Sequence, residues 1–236
     1  MNSGKNAADC KKPKSILDFY TKKNENGETI FQLWKNSKYV RPYMTPSVYD
    51  RNYSLIIKDL LEISAKSRNE KYLSIGSGVG KIEKQMMKEG FENVMCVDIF
   101  GEAAKITKRC GLNSVLSTGL ALPFRGETFD IAYMDGSIGH MTPSFKSPFA
   151  KPFQKPLKEV NRVLKKKGSI IICDDPANNG KDFQLHPRVN FLRVSDRIMI
   201  DEIEKAGFKL KNISTVHYQR RTIGKVPRRV IVARKK

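Results

Sequence analysis

The chain is poor in the residues that build metal and redox centres, with four cysteines and three histidines among 236 residues. Cys10, Cys96, Cys110 and Cys173 stand far apart without a C-x-x-C pair, which argues against a zinc site or a redox dithiol. Cys96 and Cys173 lie inside apolar runs and are expected as buried thiols in a reducing compartment. No apolar run approaches the roughly 18 residues a spanning helix needs, so no membrane span is expected. Met1 to Lys14 carries no apolar segment of the secretory kind, and a cytoplasmic location is expected by default. Acid is scarce as well: 24 Asp and Glu face 44 Lys and Arg, a formal net charge of +20. Such an excess attracts polyanions such as RNA, anionic lipid or a phosphorylated substrate, although a merely lysine-rich, solvated surface produces the same number. Lys165-Lys166-Lys167, Arg220-Arg221 and Arg228-Arg229 lie beside expected strands.

What is present is a glycine-rich turn. An apolar strand, Tyr72 to Ile75, runs into Gly76-Ser77-Gly78-Val79-Gly80 and then a helix starting near Lys81, with Val97-Asp98 closing a second apolar run. Backbone N–H groups and a helix N-terminus converge there, glycine lets a ligand approach closely, and a carboxylate roughly 20 residues on suits a ribose diol. The dinucleotide fingerprint G-x-G-x-x-G needs glycine where this chain has Lys81, so a nicotinamide dehydrogenase is disfavoured.

Further along, strands and helices alternate, the signature of a largely parallel sheet covered on both faces. Strands are expected over Tyr72 to Ile75, Asn93 to Val97, Ser114 to Leu116, Phe129 to Met134 and Ser169 to Cys173. Helices are expected over Lys81 to Glu89, Ala103 to Arg109, Leu157 to Leu164 and Ser195 to Lys205, stopped by Gly90, Gly111, Gly168 and Gly207. Tyr53, Ile56, Ile57, Leu60 and Leu61 form the apolar stripe of another helix. Residues 1–50 read as an N-terminal extension and lid and residues 51–236 as one domain. Leu210 to Tyr218 and Arg229 to Ala233 read as a terminal antiparallel hairpin around a basic turn with Gly224 and Pro227.

These motifs, in this order, resemble the class I S-adenosylmethionine-dependent methyltransferases. The resemblance covers Lys71 to Lys236 and implies a Rossmann-like, doubly wound α/β fold: a seven-stranded, mostly parallel sheet with strand order 3-2-1-4-5-7-6. It implies S-adenosyl-L-methionine as cofactor, held by Gly76, Ser77, Gly78, Gly80, Asp98, Ile99, Thr118, Gly119, Leu120 and Asp135. Thr118 stands where the family has an acid before L-P-F (here Leu122-Pro123-Phe124), and Ser74 stands where it has the Asp of L-D-x-G. Phe129 to Met141 aligns with the family's F-D-x-V strand and terminal H-H, with Gly139 for the first histidine and His140 for the second. The loop after strand four faces methyl donor and acceptor, which makes His140 and Asp135 the catalytic candidates. A histidine of ordinary pKa, about 6.5, can take a proton from an acceptor near neutrality. Asp135 can hold the cofactor's ammonium or orient an acceptor.

Asp174-Asp175-Pro176 pairs two acids after strand five, but no histidine or third acid lies at ligand spacing, so no metal is expected. They read as a solvated loop or an acceptor contact, and His186 and Arg188 fall where the family places substrate-specific insertions. Three functions remain open. The Phe129 to Met141 pattern resembles that of both small-molecule and wobble-uridine tRNA methyltransferases, and the aromatic segment from Phe19 to Tyr53, able to close over a small acceptor, favours methylation of a small molecule at O, N or C. The charge and the basic turn from Arg220 to Arg229 favour RNA, tRNA in particular, although no N-P-P-Y motif follows strand four. Ser74 and Thr118 leave room for a non-catalytic RNA-binding or regulatory protein.

Overall fold

The computed structural model describes residues 21–29, 32, 68–142, 151–185, 191–220 and 224–236. The helix expected over Tyr53 to Ser64, most of the N-terminal segment, His186, Arg188, Arg221 and the side chains of 216–226 lie outside what it describes. Strand β1 (Tyr72–Ile75), helix α1 (Lys81–Lys88), β2 (Val94–Asp98), α2 (Gly101–Arg109) and β3 (Asn113–Leu116) come first. They are followed by β4 (Phe129–Asp135), a 3-10 turn (Ile138–His140), α3 (Gln154–Val163) and β5 (Leu164–Asp174). A short pair, β6 (Phe183–Leu185) and β7 (Leu192–Val194), then precedes α4 (Asp196–Lys205), β8 (Phe208–Arg220) and β9 (Gly224–Lys235).

Seven strands form one sheet in the order β3-β2-β1-β4-β5-β9-β8. The first five run parallel, and β9 runs antiparallel to both β5 and β8. Counting the hairpin strands as the sixth and seventh, this is the expected 3-2-1-4-5-7-6 arrangement. The near-continuous burial of β1, β4 and β5 follows from cover on both faces. Alternate residues supply two cores: Leu73, Ala132, Met134, Ile170, Ile172 and Ile231 point one way. Tyr72, Ile131, Tyr133, Ile171, Cys173 and Val230 point the other. Each fully buried aliphatic side chain contributes about 1.5–3 kcal/mol. Cys96 and Cys173 are buried free thiols, as their apolar runs implied.

Three helix stops behave as expected, with Gly90, Gly111 and Gly207 at φ of 86°, 79° and 91°. The fourth does not. Helix α3 ends at Val163 and feeds straight into β5, and the left-handed residue is Lys167, at φ 62°. Gly168 is needed for space instead: a Cβ there would lie 2.9 Å from the carbonyl oxygens of both Asp130 and Lys165.

The terminal hairpin is longer than periodicity suggested. Gly224 and Pro227 belong to β9, with Pro227 opposite His217. Pro227 is tolerated because β5 pairs with β9 only as far as Asp174, opposite Arg229, so no β5 ladder bond is lost there. Arg228 therefore lies in a strand, as Arg229 was expected to, and not in a turn. The β6–β7 pair was not expected; two three-residue strands carry no readable period.

Candidate active site

The glycine turn is tight because three segments meet at it. Gly76 lies at φ 79°, and a Cβ there would fall 2.4 Å from Ser137 Cβ, so only glycine permits this approach. Ser137 Oγ in turn donates to the Ile75 carbonyl at 2.6 Å, tying the loop after β4 to the end of β1. The Gly76 and Ser77 amides both donate to the Val97 carbonyl, at 2.8 and 3.1 Å, which sets β2 alongside. Gly80, also left-handed, is the N-cap of α1, whose N-terminus gives the turn a positive end.

Asp98 closes the other side. Its carboxylate is 5% exposed and accepts the Gly78 amide at 2.8 Å and the Phe100 amide at 2.9 Å. Burial raises its pKa, and the amides of Phe100, Gly78 and Ile99 oppose that rise by stabilising the anion. Each oxygen keeps acceptor capacity, so the group can take further hydroxyl donors. The Ser117 amide donates to the Asp98 carbonyl at 2.9 Å, bringing in the next turn, where Thr118 bridges Ala121. Thr118 Oγ1 accepts the Leu120 amide at 3.2 Å, so the hydroxyl that replaces the family's acid is first a local turn former. Gly119 is buried, and a Cβ there would lie 2.6 Å from Met141 Sδ and 3.0 Å from Ile75 Cγ2. The structure thus gathers Gly76, Ser77, Gly78, Gly80, Asp98, Ile99, Thr118, Gly119 and Leu120 around the carboxyl ends of β1, β2 and β3.

Asp135 ends β4 and is partly buried. His140 ends the 3-10 turn that follows, with its ring edge-on to Phe191 at 4.8 Å between centroids. Gly139 shows why one histidine of the family pattern is missing: a Cβ there would lie 2.6 Å from Phe191 Cζ and 2.7 Å from the Leu192 carbonyl. The strand β7 leaves no room for a side chain.

Beside this turn the structure overturns two expectations. Arg228 and Arg229 are not an RNA-facing turn, being 7% and 0% exposed. Arg228 donates to Asp135, to Asp175 at 3.1 Å and to Cys173 Sγ at 3.2 Å. Arg229 forks onto Asp174 at 2.9 and 2.8 Å and reaches Asp196 at 2.8 Å. Asp174 and Asp175, accordingly, are no solvated loop; they are 2% and 8% exposed counter-charges. Buried charges survive only when paired, and here each has a partner. Among the described residues no cluster of three ligating side chains could hold a metal ion.

Glu83 is a site residue that the sequence reading missed. It lies on α1, 2% exposed, and accepts Ser74 Oγ at 2.5 Å and Tyr133 Oη at 2.8 Å. Burial raises its pKa, partly offset by the Ser74 hydrogen bond. The signal was available: Glu83 shares the inward stripe of α1 with Ile82 and Met86, an acid at a core position. The carboxylate absent at Ser74 is thus supplied from the next helix.

A seat with glycine-lined backbone, a buried carboxylate and a helix N-terminus fits a nucleoside with a free diol and a charged tail. Residues 73–172 match the family described as "Methyltransferase domain". A tabtoxin biosynthesis enzyme of Pseudomonas amygdali pv. tabaci is 26% identical over 230 residues, 93% of this chain and 87% of that one. Among solved structures, an S-adenosylmethionine-dependent methyltransferase of Methanosarcina mazei superposes with a TM-score of 0.59 and 21% identity, over 76% of this chain and 96% of that one. The 1,6-didemethyltoxoflavin-N1-methyltransferase of Burkholderia thailandensis, solved with S-adenosylhomocysteine, gives 0.61 and 20% over 86% and 81%. The sheet order, the glycine turn and Asp98 agree with these likenesses: residues 73–172 match a methyltransferase domain, and the chain has the fold of the class I S-adenosylmethionine-dependent methyltransferases.

Proposed function

We propose that the acceptor is a small molecule carrying an O, N or C nucleophile, and that it lies against the loop after β4. The observation that carries this is the Ser137–Ile75 bond, which holds the turn bearing Asp135 and His140 directly over the glycine turn. The names of a toxin-biosynthesis relative and a didemethyltoxoflavin-methylating neighbour support the same acceptor class. RNA as acceptor loses part of its support, since Arg228 and Arg229 of the basic segment are spent on buried carboxylates. Free thiols at Cys96, Cys110 and Cys173 support a cytoplasmic location.

Gly76, Ser77, Gly78 and Gly80 would hold the methionine end of S-adenosylmethionine, Asp98 and Ile99 the ribose, and Thr118, Gly119 and Leu120 the base. Bound there, the cofactor supplies a methyl group on a sulfonium, an electrophile that needs little activation. The protein's tasks are alignment, exclusion of water and removal of one proton. His140 Nδ1 or Nε2 takes that proton, with the Phe191 edge fixing the ring's attitude. Asp135, clamped by Arg228, orients the acceptor.

Calorimetry with S-adenosylhomocysteine tests the cofactor assignment: wild type binds and Asp98→Ala does not, whereas equal binding by both would reject the seat. For the acceptor, labelled cofactor in a lysate should mark the small-molecule fraction, and label in RNA alone would overturn that class. His140→Ala should retain cofactor binding and lose turnover near neutral pH by about 10²-fold or more, the usual contribution of a general base.

A further inference from the structure

The opposite end of the sheet carries a second feature that methyl transfer does not use. A cleft of about 520 Å³ opens where β4 and β5 begin and the β8–β9 hairpin ends. Asp130 lines it, and five residue steps along β4 separate Asp130 from Asp135, about 16 Å at the rise of a strand. The cleft is therefore distinct from the methyl-transfer edge.

Its lining includes five basic side chains, Lys165, Lys166, Lys167, Lys211 and Arg234, against two acids, Glu70 and Asp130. The acids are already engaged. Asp130 receives Lys165 Nζ at 2.8 and 2.9 Å and the Lys71 amide at 2.9 Å. Glu70 accepts Tyr72 Oη at 3.0 Å. Arg234 is engaged too, its Nε donating to the Lys167 carbonyl at 2.8 Å. Lys165 and Arg234 thus shape the wall. Among the described residues no carboxylate pairs with Lys166, Lys167 or Lys211.

Two details point to a ligand that needs several cations. Lys211 is on β8 and Lys166 and Lys167 are on β5, with β9 between them, so their backbones stand two strand spacings, about 10 Å, apart. A run of linked phosphates can engage ammonium groups anchored on both strands at once. Lys167, moreover, is held at φ 62°, a conformation glycine adopts freely and a side-chain-bearing residue adopts at a cost of about 1–2 kcal/mol. A lysine at that position, beside Gly168, maintains a charge where the backbone favours its absence. Lysine ammonium groups act as rotatable point charges, suited to phosphate oxygens in varied orientations.

We propose that this cleft binds a run of linked phosphates, remote from the methyl-transfer site and independent of it. The same chemistry is offered by a short polyphosphate chain and by the backbone of single-stranded RNA.

The test uses the full chain and two probes, inorganic tripolyphosphate and a short oligouridylate, with wild type compared with the Lys166→Gln, Lys167→Gly, Lys211→Gln variant. Glycine relieves the left-handed strain at 167 and the other two side chains are exposed, so the variant should stay folded. S-adenosylhomocysteine binding, unchanged, confirms that it has. The expected result is at least a tenfold loss of affinity for the bound probe. For oligouridylate, the log–log salt slope should also become shallower by about 2, three contacts at roughly 0.7 each. Binding of both probes, with loss in the variant, assigns the cleft to RNA backbone; binding of tripolyphosphate alone assigns it to a short polyphosphate. Equal affinity of wild type and variant for both probes, or no binding by wild type to either, overturns the proposal. Should the triple variant not fold, Lys211→Gln alone, expected to lose about threefold to tenfold, decides in the same way.

Discussion

The carboxyl edge of the sheet has two halves built on different principles. Around β1 and β2 the edge consists of backbone amides, glycines and one buried carboxylate, Asp98, which two amides hold. Around β4, β5 and β9 it consists of full charges matched three to three: Asp135, Asp174 and Asp175 against Arg228, Arg229 and, from β7, Arg193. The first half is polar yet nearly free of cations; its amides close the turn, and its one anion, Asp98, keeps acceptor capacity for a ligand. The second is internally neutralised, so it gives rigidity and a fixed field at the proposed acceptor side. The difference predicts that damage to the second half is first a loss of stability, and damage to the first half a loss of binding.

The largest effect should follow removal of Arg229. Arg229→Met leaves Asp174, 2% exposed, with a buried and unpaired charge, and should cost about 3–5 kcal/mol in urea unfolding. The pair Arg229→Met with Asp174→Leu should recover most of that loss, because no charge is left stranded. If the single variant were as stable as wild type, the charged half would not be a structural lock.

Next in size is Gly76→Ala on the other half. The residue is at φ 79°, and its new Cβ would meet Ser137 Cβ at 2.4 Å, so both strain and a clash arise. A loss of about 1–3 kcal/mol is expected, together with loss of S-adenosylhomocysteine binding in calorimetry. Asp98→Asn should separate these two readouts. It keeps the shape but only one of the two oxygens that accept the Gly78 and Phe100 amides, so stability should fall by about 1–3 kcal/mol, while cofactor affinity, which loses the charged acceptor as well, falls about a hundredfold or more. A larger fall in stability than in affinity would erase the contrast between the halves.

The same contrast governs what could be read from the chain. The cofactor half is local: the Asp98 bond to Gly78 spans 20 residues, and the turn is a contiguous string of small residues, so spacing alone revealed it. The charged half joins residues 93 and 55 apart, Arg228 to Asp135 and Arg229 to Asp174. Nothing in periodicity or composition links Arg228-Arg229 to acids so distant, and two arginines beside a presumed turn looked solvated. Strand β1 was legible to the residue because its four buried side chains are contiguous. The start of β5 was not, since Lys165, Lys166 and Lys167 hide a strand that begins directly at the end of α3.

Glu83 spans both principles, a single acid that is buried without a cation and held by two hydroxyls, and its effect should be the smallest and the most dependent on pH. Burial raises its folded pKa above the unfolded value near 4.5, so the native state keeps a proton that the unfolded chain has released. Its contribution is therefore greatest below the unfolded value and declines as pH rises through the window up to the folded value, by about 1.4 kcal/mol per pH step of one. Glu83→Gln keeps an oxygen for Ser74 and Tyr133 and removes the titration. Urea unfolding of both proteins across that window should show the variant gaining on wild type as pH increases, with a constant difference on the acid side. Asp98, also raised by burial, is present in both proteins and cancels in the difference. Parallel curves for the two proteins would mean that Glu83 does not change protonation on unfolding, and that the carboxylate beneath the glycine turn remains an anion when folded.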